Sequence, residues 1–398
     1  MAVDGELKDG ARRLSGAVLA LVLALALLLV SSGPASAASR GSTGDEVTAA
    51  VQQLFDSQPL NATIYGVWKG GKPIATGALG EAAPGVPATK ADHFRIGNVT
   101  ESMTITLLMQ LVDRGKISLD DPISKWFPGV CDESNCDADD ITVEMLAYST
   151  SGLVHYPGVA AFNAALYANP FRRWTMPELL AYGLDEDVEF TPGTNFAFSD
   201  TGFLLIARLL QRVTGKPVAE LARKRLFDKL GMDETILRSN SSIPSPVLHG
   251  YTNERGPYED TIGWSASWIR GIANATTTLA DMRDWATALG TGSLLSPRSH
   301  ALQLGPHNVG LNPKQTPFFH YAMGSGLRNG WVWNNPHVPG YKGMLSYLPD
   351  RDVAIAVFTT DGPEANSGAR YDAAIYNRIA ELVVPDQPPD FPVCTSGC

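Results

Sequence analysis

Acyl transfer by a side chain needs a nucleophilic oxygen or sulfur and a base within reach of it. On a helix the compact form is a Ser with a Lys one turn later, S-x-x-K. None of the 11 lysines in this chain has a Ser three residues before it, so no S-x-x-K exists. No K-T-G or H-x-G triplet exists either. Two Y-x-N triplets do, Tyr167-Ala168-Asn169 and Tyr251-Thr252-Asn253, and both read as coincidences of composition. Hydroxyls cluster at Ser149-Thr150-Ser151, where turn hydroxyls ordinarily bond the local backbone. Ser102 has no Lys or His base and reads as a buried hydrogen-bonding group. Cysteines occur as two close pairs, Cys131 with Cys136 and Cys394 with Cys398. Local disulfides are the favoured reading of these pairs. A metal site is the weaker one, since neither pair has C-x-x-C spacing and no His is near. Asn61, Asn98, Asn240 and Asn274 open N-x-[ST] triplets, which matter only in a glycosylating host.

The elements that must hold such groups follow from patterning. Residues 39 to 60 read as a linker and a first helix. Thr63 to Trp68 and Pro73 to Leu79 read as strands joined by the turn Lys69-Gly70-Gly71-Lys72. From Glu101 to Gly115, Ile105, Leu108, Leu111 and Val112 share one helical face. Further helices are predicted over Thr201 to Val213 and Val218 to Leu230, each stopped by a Gly. Trp331 and Trp333 alternate as on an edge strand with one ring in the core; a ligand-stacking platform is the competing reading. Met344 to Leu348 and Val353 to Thr359 read as a hairpin, followed by a helix from about Ala369 to Val383 and a Pro-rich tail. Strands at both ends with helices between them predict one sheet made from both chain ends, with a helical lobe inserted.

Composition bounds the partners. The formal charge of −10 is spread without a basic run, which argues against nucleic acid and anionic membrane surfaces. Lys8, Arg12 and Arg13 precede the apolar run Ala17 to Val30, and Ala35-Ser36-Ala37 follows it, the pattern of a secretory signal peptide over residues 1–37. An uncleaved membrane anchor is the alternative, so a membrane is a partner only if that segment stays. No Cys follows the run, which argues against lipid attachment.

Several segments together resemble the penicillin-recognising serine hydrolases: class C β-lactamases, D-alanyl-D-alanine carboxypeptidases and related esterases. They are Phe94-Arg95-Ile96-Gly97, the run from Leu111 to Pro122, Ser151-Gly152-Leu153, Pro192-Gly193-Thr194 to Gly202, and Pro339-Gly340-Tyr341 with Leu348 to Asp352. The resemblance covers about residues 45 to 385 and implies an α/β fold, an antiparallel sheet flanked by helices plus a mostly helical lobe. It divides residues 38–398 into an α/β lobe (about 45–100 and 300–385), a helical lobe (about 101–299) and a Cys-containing tail (386–398). In that family a Ser, a Lys one turn on and a Tyr from a second motif acylate, and a third motif on the sheet edge binds the substrate carboxylate.

Every working atom of those motifs is replaced here. The S-x-x-K slot reads Asn98-Val99-Thr100-Glu101, the Y-x-N slot Phe198-Ser199-Asp200, and the third slot Asn334-Asn335-Pro336. No catalytic residue is therefore assigned, and no cofactor or metal is expected. Asn98, Glu101, Phe198, Asp200, Asn334 and His337 are the expected lining of the inherited cleft. The resemblance then implies an exported, catalytically silent relative that binds a peptidoglycan peptide, a glycan, another small molecule or a partner protein. A hydrolase with rearranged residues is the alternative, and an exported structural protein without a ligand is a third reading. Glu101 and Asp200 would then face each other in the cleft, where two carboxyls attract a cation or an amine and share a proton.

Overall fold

The computed structural model describes residues 42–131 and 135–394. The segment read as a signal peptide and Cys398 lie outside the described residues. A compact unit begins at Thr43 and holds every element described below. Helix α1 (Thr43–Ser57) leads into strands β1 (Leu60–Lys69) and β2 (Lys72–Ala83), then helix α2 (Val99–Asp113). Helices α3 (Asp200–Thr214) and α4 (Leu279–Thr291) follow. The chain then returns to strands β3 (Phe319–Tyr321), β4 (Gly326–Arg328), β5 (Trp331–Asn334), β6 (Tyr341–Leu348) and β7 (Val353–Asp361), and closes on helix α5 (Tyr371–Val383).

Among the described residues the main sheet has nine strands in the order Val86–Pro87, β2, β1, β7, β6, β5, β4, β3, with His337–Val338 also pairing to β6. Its strands run antiparallel. The expected joining of the two chain ends is the β1–β7 pairing, with Thr63 opposite Thr359. The β1–β2 hairpin turns on Gly70 and Gly71, at φ 59° and 70°. A two-residue turn matching strand twist needs positive φ at both places, which glycine supplies without strain.

Strand β7 is buried along its whole length. Val353, Ile355 and Val357 pack with α1 and α5 residues such as Val51, Ile375 and Ile379. Ala354, Ala356 and Phe358 pack into the other cluster, with Trp285 and Leu289 of α4. A period of two on a strand puts alternate side chains on opposite faces, so both faces of this strand are apolar and covered.

Three expectations need correction. The helical lobe was expected to run to about residue 299, but α4 packs on β1, β6 and β7 and so covers the second face of the sheet. The strand carrying Trp331 and Trp333 is no edge: β5 lies between β6 and β4, and both rings are buried. The helix predicted over Val218 to Leu230 is interrupted by a π-turn at Arg223–Phe227. The inserted region also carries a three-stranded sheet, Phe94–Arg95, Ala275–Thr277 and Ile236–Leu237, that helical periodicity did not reveal.

Cys131 and Cys136 are bonded to each other. Cys394 is also disulfide-bonded, and its expected partner Cys398 falls outside the described residues. Among the described residues no helix is long and apolar enough to cross a membrane.

Candidate functional site

Helix α2 runs through the middle of the protein, buried from Val99 to Leu111. Apolar residues on every face suit it to that place. Asn98 is its N-cap residue, but its side chain makes no capping bond. The preceding Gly97 sits at φ 45°, and a Cβ there would meet His337 N and Pro336 Cβ at 3.1 Å. Glycine thus lets the chain around 336–337 close over the start of the helix. One turn in, Glu101 is 1 % exposed. On α3, Ser199 caps the helix by accepting from Gly202 N–H, and Asp200 is the first helical residue.

Asn98, Glu101, Phe198 and Asp200 line one cavity of about 580 Å³. The lobe side contributes His155, Tyr167 and Trp268, and the sheet side Phe319, Tyr321, Trp333, Asn335 and His337. No Ser, Thr, Cys or Lys is among its lining residues.

The carboxyls of Glu101 and Asp200 are within hydrogen-bonding reach of each other. Burial, then the charge and hydrogen bond of Asp200, hold the Glu101 carboxyl well above the usual carboxylate range. Burial also raises Asp200, against its bond to Glu101. Two carboxyls this close cannot both ionise at low cost, so the pair keeps one proton between them. Apart from that shared proton, Glu101 Oε2 and Asn98 Oδ1 are buried without a hydrogen-bond partner.

His155 stands beside the pair. Its Nδ1 accepts the backbone N–H of Asp200 at 3.2 Å. That bond requires a lone pair on Nδ1, so the 3.9 Å approach of Nδ1 to Asp200 Oδ2 carries no proton. Phe198 packs against His155 at 5.5 Å and Tyr321 at 5.7 Å between ring centroids. Burial, with Glu101 and Asp200 nearby, raises the hydroxyls of Tyr156 and Tyr321 far above the ordinary phenol range. Both stay protonated, and the Tyr156 hydroxyl donates to Trp268 O.

The far wall is built differently. His337 keeps 45 % of its side chain open to the cavity mouth, with Nε2 3.8 Å from Glu254 Oε1. Surrounding protein, then the cations Lys342 and Arg370, lower its imidazole below the ordinary histidine range, and the open face of the ring moderates that shift. Glu254 accepts from the Tyr167 hydroxyl at 3.0 Å. Arg370 is bound at both ends by Asp372, at 3.0 and 2.6 Å.

One expected cleft residue belongs elsewhere. Asn334 is 1 % exposed, donates to Gly324 O at 2.9 Å and does not line the cavity. Trp333 and Asn335, the residue just past the strand's end, line it instead, as the alternation of extended chain carries on by one residue and turns Asn334 away. Ser102 donates to Val99 O at 2.6 Å and accepts from Trp285 Nε1 at 3.0 Å, both away from the cavity. Ser149, Thr150 and Ser151 are buried and do not line it. Tyr167 does line it, outside any Y-x-N chemistry, whereas Tyr251 does not. His155, Tyr321, Glu254 and Arg370 were not singled out from the sequence. Only His155 left a trace, two residues past the Ser151-Gly152-Leu153 loop.

Comparison with known proteins places this geometry among relatives. A family profile described as Beta-lactamase matches residues 47–377. The D-alanyl-D-alanine-carboxypeptidase/endopeptidase AmpH of Escherichia coli is 31 % identical over 214 residues, 52 % of each chain. The chain thus spans about half the length of that curated relative. Penicillin-binding protein 4 of Amycolatopsis lactamdurans is 26 % identical, over 73 % of this chain and 77 % of its own. Among solved structures, a D-stereospecific amidohydrolase from Streptomyces superposes with a TM-score of 0.74, at 24 % identity, over 85 % of this chain and 98 % of its own. The octameric penicillin-binding protein homologue of Pyrococcus abyssi gives 0.72 at 18 % identity, over 87 % and 79 %.

Proposed function

The chain belongs to the β-lactamase family, and on that premise we propose that it is an exported binding member without the family's acylation chemistry. Its inherited cleft holds a cell-wall peptide, a glycan or a partner protein. The observation that carries this reading is the lining of the cavity, which offers no Ser, Thr or Cys to be acylated and no Lys to activate one. The family's lysine position is a buried carboxyl, and its serine position a carboxamide that is no useful nucleophile. A peptide ending in D-amino acids is the first ligand to try, since D-alanyl and D-stereospecific substrates appear in the names of its relatives. The Cys131–Cys136 bridge supports work outside the cytoplasm.

The test is intact-mass analysis after incubation with a fluorescent penicillin. The mass is expected to stay unchanged, and a covalent adduct on a cleft residue defeats the proposal.

A second reading is favoured by one specific feature. A carboxyl held protonated beside a carboxylate is suited to acid–base catalysis. A hydrolase of that kind turns over a p-nitrophenyl ester or a D-Ala-D-Ala peptide and loses that turnover in both E101Q and D200N. Turnover unaffected by either substitution belongs to a contaminant.

A further inference from the structure

We propose that the end of the cavity formed by Asn98, Glu101 and Asp200 is a receptor for a protonated primary amine carrying an apolar body. This rests on the cleft being a binding site, and names the chemistry of what it binds. An alkylammonium has three N–H donors and no acceptor. Glu101, Asn98 and Asp200 bring side-chain oxygens to one cavity, and Glu101 Oε2 and Asn98 Oδ1 are buried without a protein hydrogen-bond partner. Glu101 is 1 % exposed, and apart from the proton it shares with Asp200 its Oε2 has no hydrogen-bond partner in the folded chain. A buried acceptor left unmet costs free energy that a ligand donor returns.

The chain does not fill this place itself. Its cavity contains no Lys, and the one lining Arg, Arg370, is held by Asp372. His155 cannot donate from Nδ1, which already accepts from the backbone. A metal ion fits less well, since no group of three or more His, Cys, Asp or Glu side chains among the described residues is arranged to hold one. Phe196, Phe198 and Tyr321 line the same cavity as a ring cluster, with Tyr321 within 5.6 and 5.7 Å of the other two. Ring faces attract a desolvated cation and cover the apolar body behind it. The same oxygens repel a carboxylate, which gives the cavity a polarity for an asymmetric ligand.

The experiment compares 2-phenylethylamine with 2-phenylethanol, its neutral near-isostere, by calorimetric titration of the mature protein. The amine is expected to bind at least tenfold more tightly than the alcohol. The double variant E101Q/D200N, which removes both carboxyls and is checked for folding by circular dichroism, is expected to lose at least tenfold in amine affinity while keeping that for the alcohol. Equal affinity of the wild type for amine and alcohol overturns the inference without reference to any variant. So does undiminished amine binding in the double variant. Penicillin labelling of the same preparation separates the two ideas. An adduct defeats the binding reading, whereas an unlabelled protein that ignores the amine defeats only this one.

Discussion

Replacing one ammonium by one carboxyl at position 101 reverses the electrostatics of the family's site. An ammonium beside a serine lowers the cost of forming an alkoxide, and a carboxyl there raises it. Glu101 instead finds its partner in Asp200, and the pair solves the burial problem by keeping a proton. The consequence for stability has a definite sign. A carboxyl raised in the folded state favours folding below its ordinary range, about 4.3 for Glu, and that contribution falls as pH rises through the window above it. The slope is at most about 1.4 kcal/mol per pH unit for one proton. In E101Q the amide donates to Asp200, so only Asp200, still raised by burial, is left to titrate there. Urea unfolding of E101Q and wild type, from about pH 5 to about pH 8, is expected to show the variant gaining steadily on the wild type. A difference independent of pH contradicts the shared proton. Glu101 and Asp200 were legible as a pair because each occupies a motif position in sequence. His155 was not, since a histidine in a loop has no pattern that marks its neighbours.

At the scale of elements, strand order brings Lys342 of β6 beside Asp361 at the end of β7, with Nζ 2.7 Å from Oδ2. Their side chains are 4 % and 8 % exposed. A buried ion pair costs desolvation on both sides, and breaking it leaves one charge unpaired. K342M is therefore expected to destabilise by about 3–5 kcal/mol, and K342M/D361L to recover most of that loss. Urea midpoints decide it: a double variant no more stable than the single one contradicts the account. The hairpins themselves were readable, because Gly70-Gly71 and the Pro349–Asp352 turn are local chemistry. The place of β5 was not. Its two tryptophans fit an edge strand, but only the pairing with β4 and β6 decides that it is interior, and those partners are separate segments of chain.

For the whole molecule, the cavity belongs to no single segment. Its lining comes from positions as far apart as Asn98 and Arg370, brought together by a sheet that joins the two chain ends. If the backbone still holds the family's geometry, restoring its side chains restores its chemistry. The quadruple variant N98S/E101K/F198Y/D200N is expected to be acylated by fluorescent penicillin, read as an adduct by intact mass. A folded quadruple variant that takes no label indicates that the cleft has been reshaped beyond four side chains. Either result bears on how far fold similarity alone licenses function.

The sequence by itself determined the family, the α/β architecture with its sheet drawn from both ends, and the loss of Ser, Lys and Tyr at the motif positions. Those follow from residue identity at fixed spacing, which is local information. Only the tertiary structure decided that Asn335 rather than Asn334 lines the cavity, that His155 and Tyr321 flank the carboxyl pair, and that α4 covers the sheet. Which way a side chain points on a strand, and what burial does to its proton, depend on neighbours hundreds of residues away, whose approach is fixed by packing of the whole core.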